Sequence, residues 1–534
     1  MFSNLISRLP AIAAWLHGIA PDAQLTADSR RINAGDIFLA YAGDEADGRR
    51  FIADAVKRGA AAVLFDDEDG FGWNEAWDVE NMGVSGLRNA SGFLASAWYG
   101  RPDDGMFTVA VTGTNGKTSC TQWLGNALSQ DGVATAVVGT LGAGLFVNGV
   151  HDGLTETGYT TPDAVMLQRT LAALRQRGAG ALAIEASSIG LEQGRLNGMH
   201  VDLALFTNFT RDHLDYHLDM DAYEAAKAML FDWSGLRHAV INLDDAMGLR
   251  LLRRVKANSA KAGPGRSINL VGYSVENQNI TAMAGISMLR AADIRSSHAG
   301  TTFMLHADFN GQQHSSPVRT QLVGRFNVSN VLGVAATLLC KGLAFATVID
   351  LLEALRAVPG RMQQLGGEEA PLVVIDYAHT PDAIEKTLTV LRDVARQRSG
   401  QLWCLFGCGG ERDPGKRPLM AIAASAADHV VVTSDNPRGE NANAIIEQIV
   451  QGFAISNLHA PHGAGHGDVI PQVIEDRAAA ILWAVKHAAR NDVVLLAGKG
   501  HESTQEIHGK KRPFLDADHA LLALSARATM GAAK

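Results

Sequence analysis

At 534 residues the chain is long enough for several domains. Its 47% hydrophobic and 19% charged residues are those of an ordinary globular protein, and a net charge of −9 argues against a general nucleic-acid binder. Four cysteines in so long a chain exclude a disulfide framework, and no apolar run reaches the ~18 residues of a membrane span.

The first twenty residues are interrupted by Arg8, Pro10 and His17. They read as a short amphipathic helix and not as a secretion signal, so the chain is expected in the cytoplasm. Residues 35–40 read as a strand, 53–58 as a helix and 60–65 as a buried strand. Asp28 and Ser29 alone suggest a turn with a hydroxyl cap. Residues 100–105 hold turn formers and no apolar anchor, which marks a linker.

The next stretch organises the chain. Alternating apolar residues from 108 lead into Gly113, Thr114, Asn115, Gly116, Lys117, Thr118 and Ser119, and a helical pattern follows to about 129. Strand, tight loop, helix is the layout that wraps backbone N–H groups around a phosphate. Lys117 is placed to reach the outer phosphates and Thr118 to hold Mg²⁺. A strict phosphate-loop pattern has glycine where Val111 stands, so this is a shortened variant.

Residues 133–138 read as a further strand, and 139–144 as a glycine-rich loop without the dinucleotide fingerprint. Thr160, Thr161 and Pro162 are expected to open a helix running to 174. Strands at 181–188 and 203–208 end in polar residues, Glu185, Ser187 and Ser188 among them, where open α/β sheets bind ligands. His213 and His217 lack the glutamate and the helix of a zinc protease. Lys227 lies in an apolar helix, 223–230, and spacing alone makes it a snorkelling surface lysine. Residues 253–266 read as a solvated loop, 268–323 as short strands, and a small-residue helix begins near 324.

After a boundary at 358–362, apolar runs at 372–379, 402–406, 430–433 and 493–496 each lead into a polar loop, which indicates a second parallel sheet. Cys404 and Cys408 lack a second ligand pair at zinc spacing, and Cys120 reads as a small core residue. Residues 453–469, with His459, His462 and His466 among glycines, read as a mobile loop.

Together these residues resemble the Mur ligases, the ATP-dependent amide-forming enzymes of peptidoglycan precursor synthesis. The motifs that carry the resemblance are Asp28-Ser29-Arg30, Gly113 to Thr118, Glu185-Ala186-Ser187-Ser188, Tyr223 to Lys227, Asp376-Tyr377-Ala378-His379 and Asp435-Asn436-Pro437-Arg438, in the family's order. The resemblance implies an α/β chain of three domains. A UDP-sugar-binding α/β domain (1–103) precedes a central ATPase-like parallel sheet (104–358) and a Rossmann-like amino-acid-binding domain (359–534).

It further implies a monomeric ligase with no nucleic-acid or membrane partner. The expected substrates are ATP, UDP-N-acetylmuramoyl-L-alanyl-D-glutamate and meso-diaminopimelate, with Mg²⁺ as cofactor and an acyl phosphate as intermediate. By resemblance, Gly113, Thr114, Asn115, Gly116, Lys117, Thr118, Ser119, Asn327, Arg361 and His379 meet ATP. Lys117, Glu185, His213 and Lys227 are catalytic. Thr118, Glu185, His213 and Lys227 as a carbamate hold metal, and a carbamate makes sense of a lysine beside cations. Ala27, Ser29, Asp44, Glu45, Ala46, Thr160, Thr161, Ser187, Gln193 and Arg195 meet the UDP-muramoyl dipeptide. Arg412, Asp435, Asn436, Pro437, Arg438, Gly498 and Glu502 meet diaminopimelate, since an arginine fork and carboxylates suit a zwitterion.

The chain departs from the family at Ile189, where histidine is frequent, and at Gly439-Glu440-Asn441-Ala442, where Ser-Glu-Asp-Pro is common. Rival readings are an L-lysine-adding ligase, a folylpolyglutamate synthetase-like ligase, and a non-catalytic nucleotide-binding module.

Overall fold

The computed structural model describes residues 2–44, 46–261, 268–276, 285–297, 299–367, 369–459 and 470–532. Three sheets follow one another along the chain. The first is a parallel sheet of β1 (Leu25–Thr26), β2 (Ile37–Ala40), β3 (Ala62–Phe65) and β4 (Glu80–Gly83), in that order. Alternation decides its faces: Ile37, Leu39 and Leu64 point to the helices Phe2–Ile19 and Leu87–Trp98, while Phe38, Val63 and Phe65 point to Ile52–Lys57.

The second sheet has eleven strands: β5 (Phe107–Thr112), β6 (Thr135–Gly139), β7 (Gly142–Val147), β8 (Val150–His151), β9 (Ala181–Glu185), β10 (Leu203–Phe206), β11 (His238–Asn242), β12 (Asn269–Ser274), β13 (Ser287–Ser297), β14 (Gly300–Phe309) and β15 (Gln312–Thr320). Their order is β15-β14-β13-β12-β11-β10-β5-β9-β6-β7-β8. The centre, from β6 to β13, is parallel, and antiparallel strands extend both edges. Parallel strands are buried on both faces, which explains their near-continuous apolar runs. Val109, Val111, Ala183 and Leu205 pack into one core with the helices Lys117–Gln130 and Arg325–Lys341, and Ala110, Leu182, Ile184 and Phe206 pack into the other.

The third sheet is β16 (Gln363–Gly366), β17 (Leu372–Asp376), β18 (Leu402–Phe406), β19 (His429–Val432), β20 (Gln472–Val473) and β21 (Val493–Ala497), ordered β16-β17-β21-β18-β19-β20. Only its edge strand β16 is antiparallel among these. A hairpin of β22 (Thr504–Ile507) and β23 (Lys510–Pro513) follows. No described helix is long and apolar enough to cross a membrane.

Several expectations change. Residues 139–144 are not a loop: β6 and β7 form a tight hairpin there, carried by Ala143, Leu145 and Phe146 packing into the cores. Gly139 is required not for a turn but because a Cβ would stand 2.2 Å from Glu185 Oε1. The helix expected from Thr160 begins at Ala164, because Asp163 caps Val165 and Met166 while the Thr161 hydroxyl is engaged across the sheet by Glu185 O at 2.7 Å.

The solvated loop at 253–266 is, up to Lys261, the end of helix Ala246–Lys261, held by Leu251, Leu252 and Val255 at helical spacing with Arg253 and Arg254 facing out. Residues 262–267 lie outside the described residues. The strands between 268 and 323 are longer than expected, up to eleven residues in β13. His213 caps a short helix, Leu214–His217, where none was expected. Helix Ala442–His459 runs into the stretch read as a mobile loop, whose remainder at 460–469, with His462 and His466, lies outside the described residues.

Candidate functional site

β5 hands the chain to helix Lys117–Gln130 through the loop at 113–116. Gly113 sits at φ +145° with its missing Cβ 1.9 Å from Thr207 Oγ1, so no other residue fits. The loop is braced by Asn208, whose carbonyl accepts from Thr114 N at 2.8 Å and whose Oδ1 accepts from Asn115 N at 2.9 Å. Those two amides are therefore spoken for. The anion-facing donors are the first-turn N–H groups of the helix, which have no intrahelical partner. Lys117 Nζ folds over the loop to donate to Gly113 O and Thr114 O, both at 2.9 Å, and burial lowers its pKa.

Around this loop the structure gathers the whole expected catalytic set in one cavity of about 1370 Å³, lined by Lys117, Thr118, Glu185, His213, Lys227, Asn327, Arg361 and His379 among others. Glu185, at the end of β9, accepts from Thr140 N at 2.8 Å and Thr140 Oγ1 at 3.1 Å. Arg361 Nη2 donates to Thr118 Oγ1 at 3.1 Å while its guanidinium lies 4.2 Å from the Tyr377 ring centroid. Asp212 sits between His213 (3.5 Å) and His379 (3.6 Å). Burial would raise its carboxyl, but His379, His213 and the Lys416 charge nearby outweigh that and hold it well below the carboxylate range. Burial, with the Lys117 and Lys227 charges nearby, lowers His213 to about 4, against the pull of Asp212.

Lys227 is not the surface lysine that spacing suggested: it is 1% exposed. Its Nζ donates to Gly113 O at 2.8 Å and lies 4.4 Å from the Tyr223 ring centroid. Burial, then the Lys117 charge, push its pKa well down from the ordinary lysine value. Among the described residues no three His, Cys, Asp or Glu side chains converge as a metal cage. Thr118 and Glu185 are nevertheless hard oxygen donors lining the same cavity, and Mg²⁺ is usually held by one or two such groups together with substrate phosphate. The donor set fits that ion.

The cavity continues toward the first sheet past Asp44, Ala46, Thr160, Thr161, Ser187, Gln193 and Arg195. Asp44 pairs with Arg88 at 2.7 Å and with Gln193, and Gln193 accepts from Arg195 Nε at 2.8 Å. Arg195 Nη1 also donates to Thr161 O at 2.8 Å. Ala27 and Ser29 do not line this cavity; Asp28 beside them is held by Arg30 in a two-point ion pair. Glu45 lies outside the described residues.

Arg412 reaches the cavity wall, 3.7 Å from Asp215, but the other residues expected at the amino-acid pocket form a separate cluster at the ends of β19 and β21. Asn436 Nδ2 donates to Glu502 Oε2 at 2.7 Å. Arg438, at φ +50°, donates to Gly410 O at 2.6 Å. Pro437 stiffens the turn before it. Gly498 follows β21 directly, facing Asp435. Burial raises the Asp435 carboxyl, against the pull of Lys499.

Ile189 lines the cavity, and the buried His217 from the neighbouring short helix meets Ser188 Oγ at 2.9 Å. In the other departure, Glu440 pairs with the buried Arg417 at 2.8 Å.

Sequence reasoning missed Asp212, Thr140, Asn208 and Lys499. Thr140 was hidden by reading its hairpin as a loop, and Asn208 braces a loop 93 residues away. Lys499, flanked by glycines directly after an apolar strand, carried a local signal that went unused.

Three family descriptions match the chain: "Mur ligase family, catalytic domain" over residues 23–99, "Mur ligase middle domain" over 111–338, and "Mur ligase, glutamate ligase domain" over 360–500. A UDP-N-acetylmuramoyl-L-alanyl-D-glutamate--2,6-diaminopimelate ligase of Janthinobacterium sp. (strain Marseille) is 60% identical, covering 98% of each chain. One from Ralstonia nicotianae is 48% identical, covering 98% of this chain and 97% of its own. A solved structure under the same ligase name is 35% identical with a TM-score of 0.62, covering 96% of this chain and 99% of its own.

Proposed function

The chain belongs to the Mur ligase family, and from that premise we propose that it joins meso-diaminopimelate to UDP-N-acetylmuramoyl-L-alanyl-D-glutamate at the expense of ATP, in peptidoglycan precursor synthesis. The observation that carries this reading is the single cavity running from the phosphate loop past Glu185 to Gln193 and Arg195, alongside near-full-length likeness to ligases of that name.

The chemistry starts between anions. An oxygen of the D-glutamate γ-carboxylate attacks the γ-phosphorus of ATP, ADP leaves, and an acyl phosphate results. The amine of diaminopimelate then attacks the acyl carbon, phosphate leaves, and the nitrogen gives up a proton. Lys117, Arg361 and the first-turn N–H groups offset phosphate charge as it shifts toward ADP. Asn327 and His379 line the nucleotide end, and Asp212 orients His379. Arg195, Gln193, Ser187, Thr160, Thr161, Ala46 and Asp44 hold the muramoyl dipeptide so that its carboxylate meets the phosphate in line. Ala27, Ser29 and Glu45 are assigned to the uridine end by resemblance alone.

Thr118, Glu185, His213 and Lys227 as a carbamate would hold Mg²⁺, which supplies further positive charge at the phosphates. Lys227 suits the modification because burial disfavours its ammonium form, and an amine that attacks CO₂ and gives up a proton becomes a carbamate. Arg412, Asp435, Asn436, Pro437, Arg438, Gly498 and Glu502 select the amino acid, with Arg438 as the fork for the distal carboxylate. The first sheet serves the nucleotide sugar, the second ATP and the third the amino acid. A monomer in the cytoplasm is assigned by resemblance alone.

The test is an amino-acid panel assayed for phosphate release and amide product, with and without the muramoyl dipeptide. Turnover should need all three substrates and favour meso-diaminopimelate over L-lysine by roughly 10⁴ in kcat/KM, since lysine leaves the arginine fork unpaired. Equal use of L-lysine would move the reading to the lysine-adding ligase. Turnover on a folate polyglutamate, or nucleotide binding without turnover, would support the other rivals.

A further inference from the structure

The ammonium at the centre of the amino-acid cluster belongs to the protein. Lys499 lies two residues past β21, and its side chain is 0% exposed. Its Nζ donates to Glu502 Oε2 at 2.9 Å, Thr504 O at 2.8 Å and Asn436 Oδ1 at 3.2 Å, and stands 3.8 Å from Asp435 Oδ1. Three acceptors use all three protons of the ammonium. Lys499 therefore has no donor left for a ligand.

Its effect falls on Glu502. Oε2 of that carboxylate takes both Lys499 Nζ and Asn436 Nδ2, while Oε1 is engaged by neither. Glu502 keeps 30% of its side-chain surface open, so it is the carboxylate of the cluster that meets solvent, whereas Asp435 is 9% exposed. One internal ammonium between two carboxylates leaves at most one negative charge to offer a ligand's ammonium.

We propose that Lys499 is a positioning residue: it fixes the rotamer of Glu502 so that Oε1 is presented to an ammonium group of the amino-acid substrate, and it touches no substrate itself. This rests on reading the cluster as the amino-acid pocket.

The experiment compares Lys499→Met, Glu502→Gln and the double variant with the wild-type enzyme, using ATP, the muramoyl dipeptide and meso-diaminopimelate. Two readouts are taken: KM for each substrate, and acyl-phosphate formation without amino acid, trapped by hydroxylamine. Lys499→Met should raise KM for diaminopimelate about 10–100-fold, the size expected for loosening a charged hydrogen bond. KM for ATP and the trapped acyl phosphate should stay within about twofold. Because Lys499 acts through Glu502, the double variant should match Glu502→Gln and not multiply its effect.

Melting temperatures report folding. If Lys499→Met does not fold with its carboxylates unpaired, the comparison of the double variant with Glu502→Gln decides. A raised KM in Glu502→Gln with none in Lys499→Met, or multiplying effects, overturns the positioning role and leaves the pocket standing. No change in diaminopimelate KM in any variant overturns the pocket and the positioning role together.

Discussion

At the loop we assign to phosphate, charge would be met by contiguous residues: two glycines, a lysine and the N-terminus of the helix that follows. At the amino-acid cluster it is met by side chains from loops far apart, with Asn436 joined to Lys499 across 63 residues and to Glu502 across 66. The first site is made of backbone and depends on local geometry. The second is a set of charges packed close together, with the buried Arg477–Asp516 pair acting on Asp435 through space, Lys499 between the carboxylates and the part-exposed Glu502 at the open end. A fault in the loop should therefore cost rate, whereas a fault deep in the cluster should cost folding.

Arg477 tests that contrast most severely. It and Asp516 are both 0% exposed, paired at 2.7 Å, and Arg477 also donates to Ala497 O at the end of β21. Arg477→Met leaves Asp516 uncompensated and should destabilise the protein by about 3–5 kcal/mol. Denaturant unfolding measures this, and a loss under 1 kcal/mol would mean the cluster is not a connected unit.

Lys117→Ala should do the opposite, with kcat falling on the order of 10²–10³ because a preorganised contact to phosphate is lost, while the melting temperature moves little. Near-normal kcat would end the assignment of the loop.

A smaller effect is expected where the two regions meet. Arg412 is 3.7 Å from Asp215, and both side chains are partly exposed. Asp215→Asn frees the arginine for a substrate carboxylate, so KM for the amino acid should fall by about 2–5-fold, as a surface pair is worth at most about 1 kcal/mol. Raised salt should narrow the gap between wild type and variant. An unchanged or higher KM would show that Asp215 does not compete for Arg412.

The last is a pH effect. Burial, with Arg361 nearby, lowers His501 from 6.5 to about 4. Below pH 6.5 the unfolded chain gains a proton there that the folded chain refuses until about pH 4. The contribution of the neutral imidazole is therefore complete above 6.5 and is lost as pH falls from 6.5 toward 4. The melting temperature of the wild type should fall relative to that of His501→Gln across that window, and a constant difference would rule the effect out.

Local signals were enough wherever the chemistry is contiguous. The strand and helix around Gly113 to Ser119, the apolar runs of the parallel strands and the polar residues at their ends were all legible, because burial on both faces and the turn at a phosphate impose their pattern on neighbouring residues. Tertiary structure decided the rest. It buried Lys227 behind Gly113 and pushed its pKa down, although helical spacing alone favours the surface. It turned residues 139–144 into the hairpin that supports Glu185, and it set Asn208 against a loop 93 residues away. It also put the Lys499 ammonium between Asp435 and Glu502. Desolvation and pairing depend on which elements close over a side chain, and that is a property of the packed sheets that no window of residues contains.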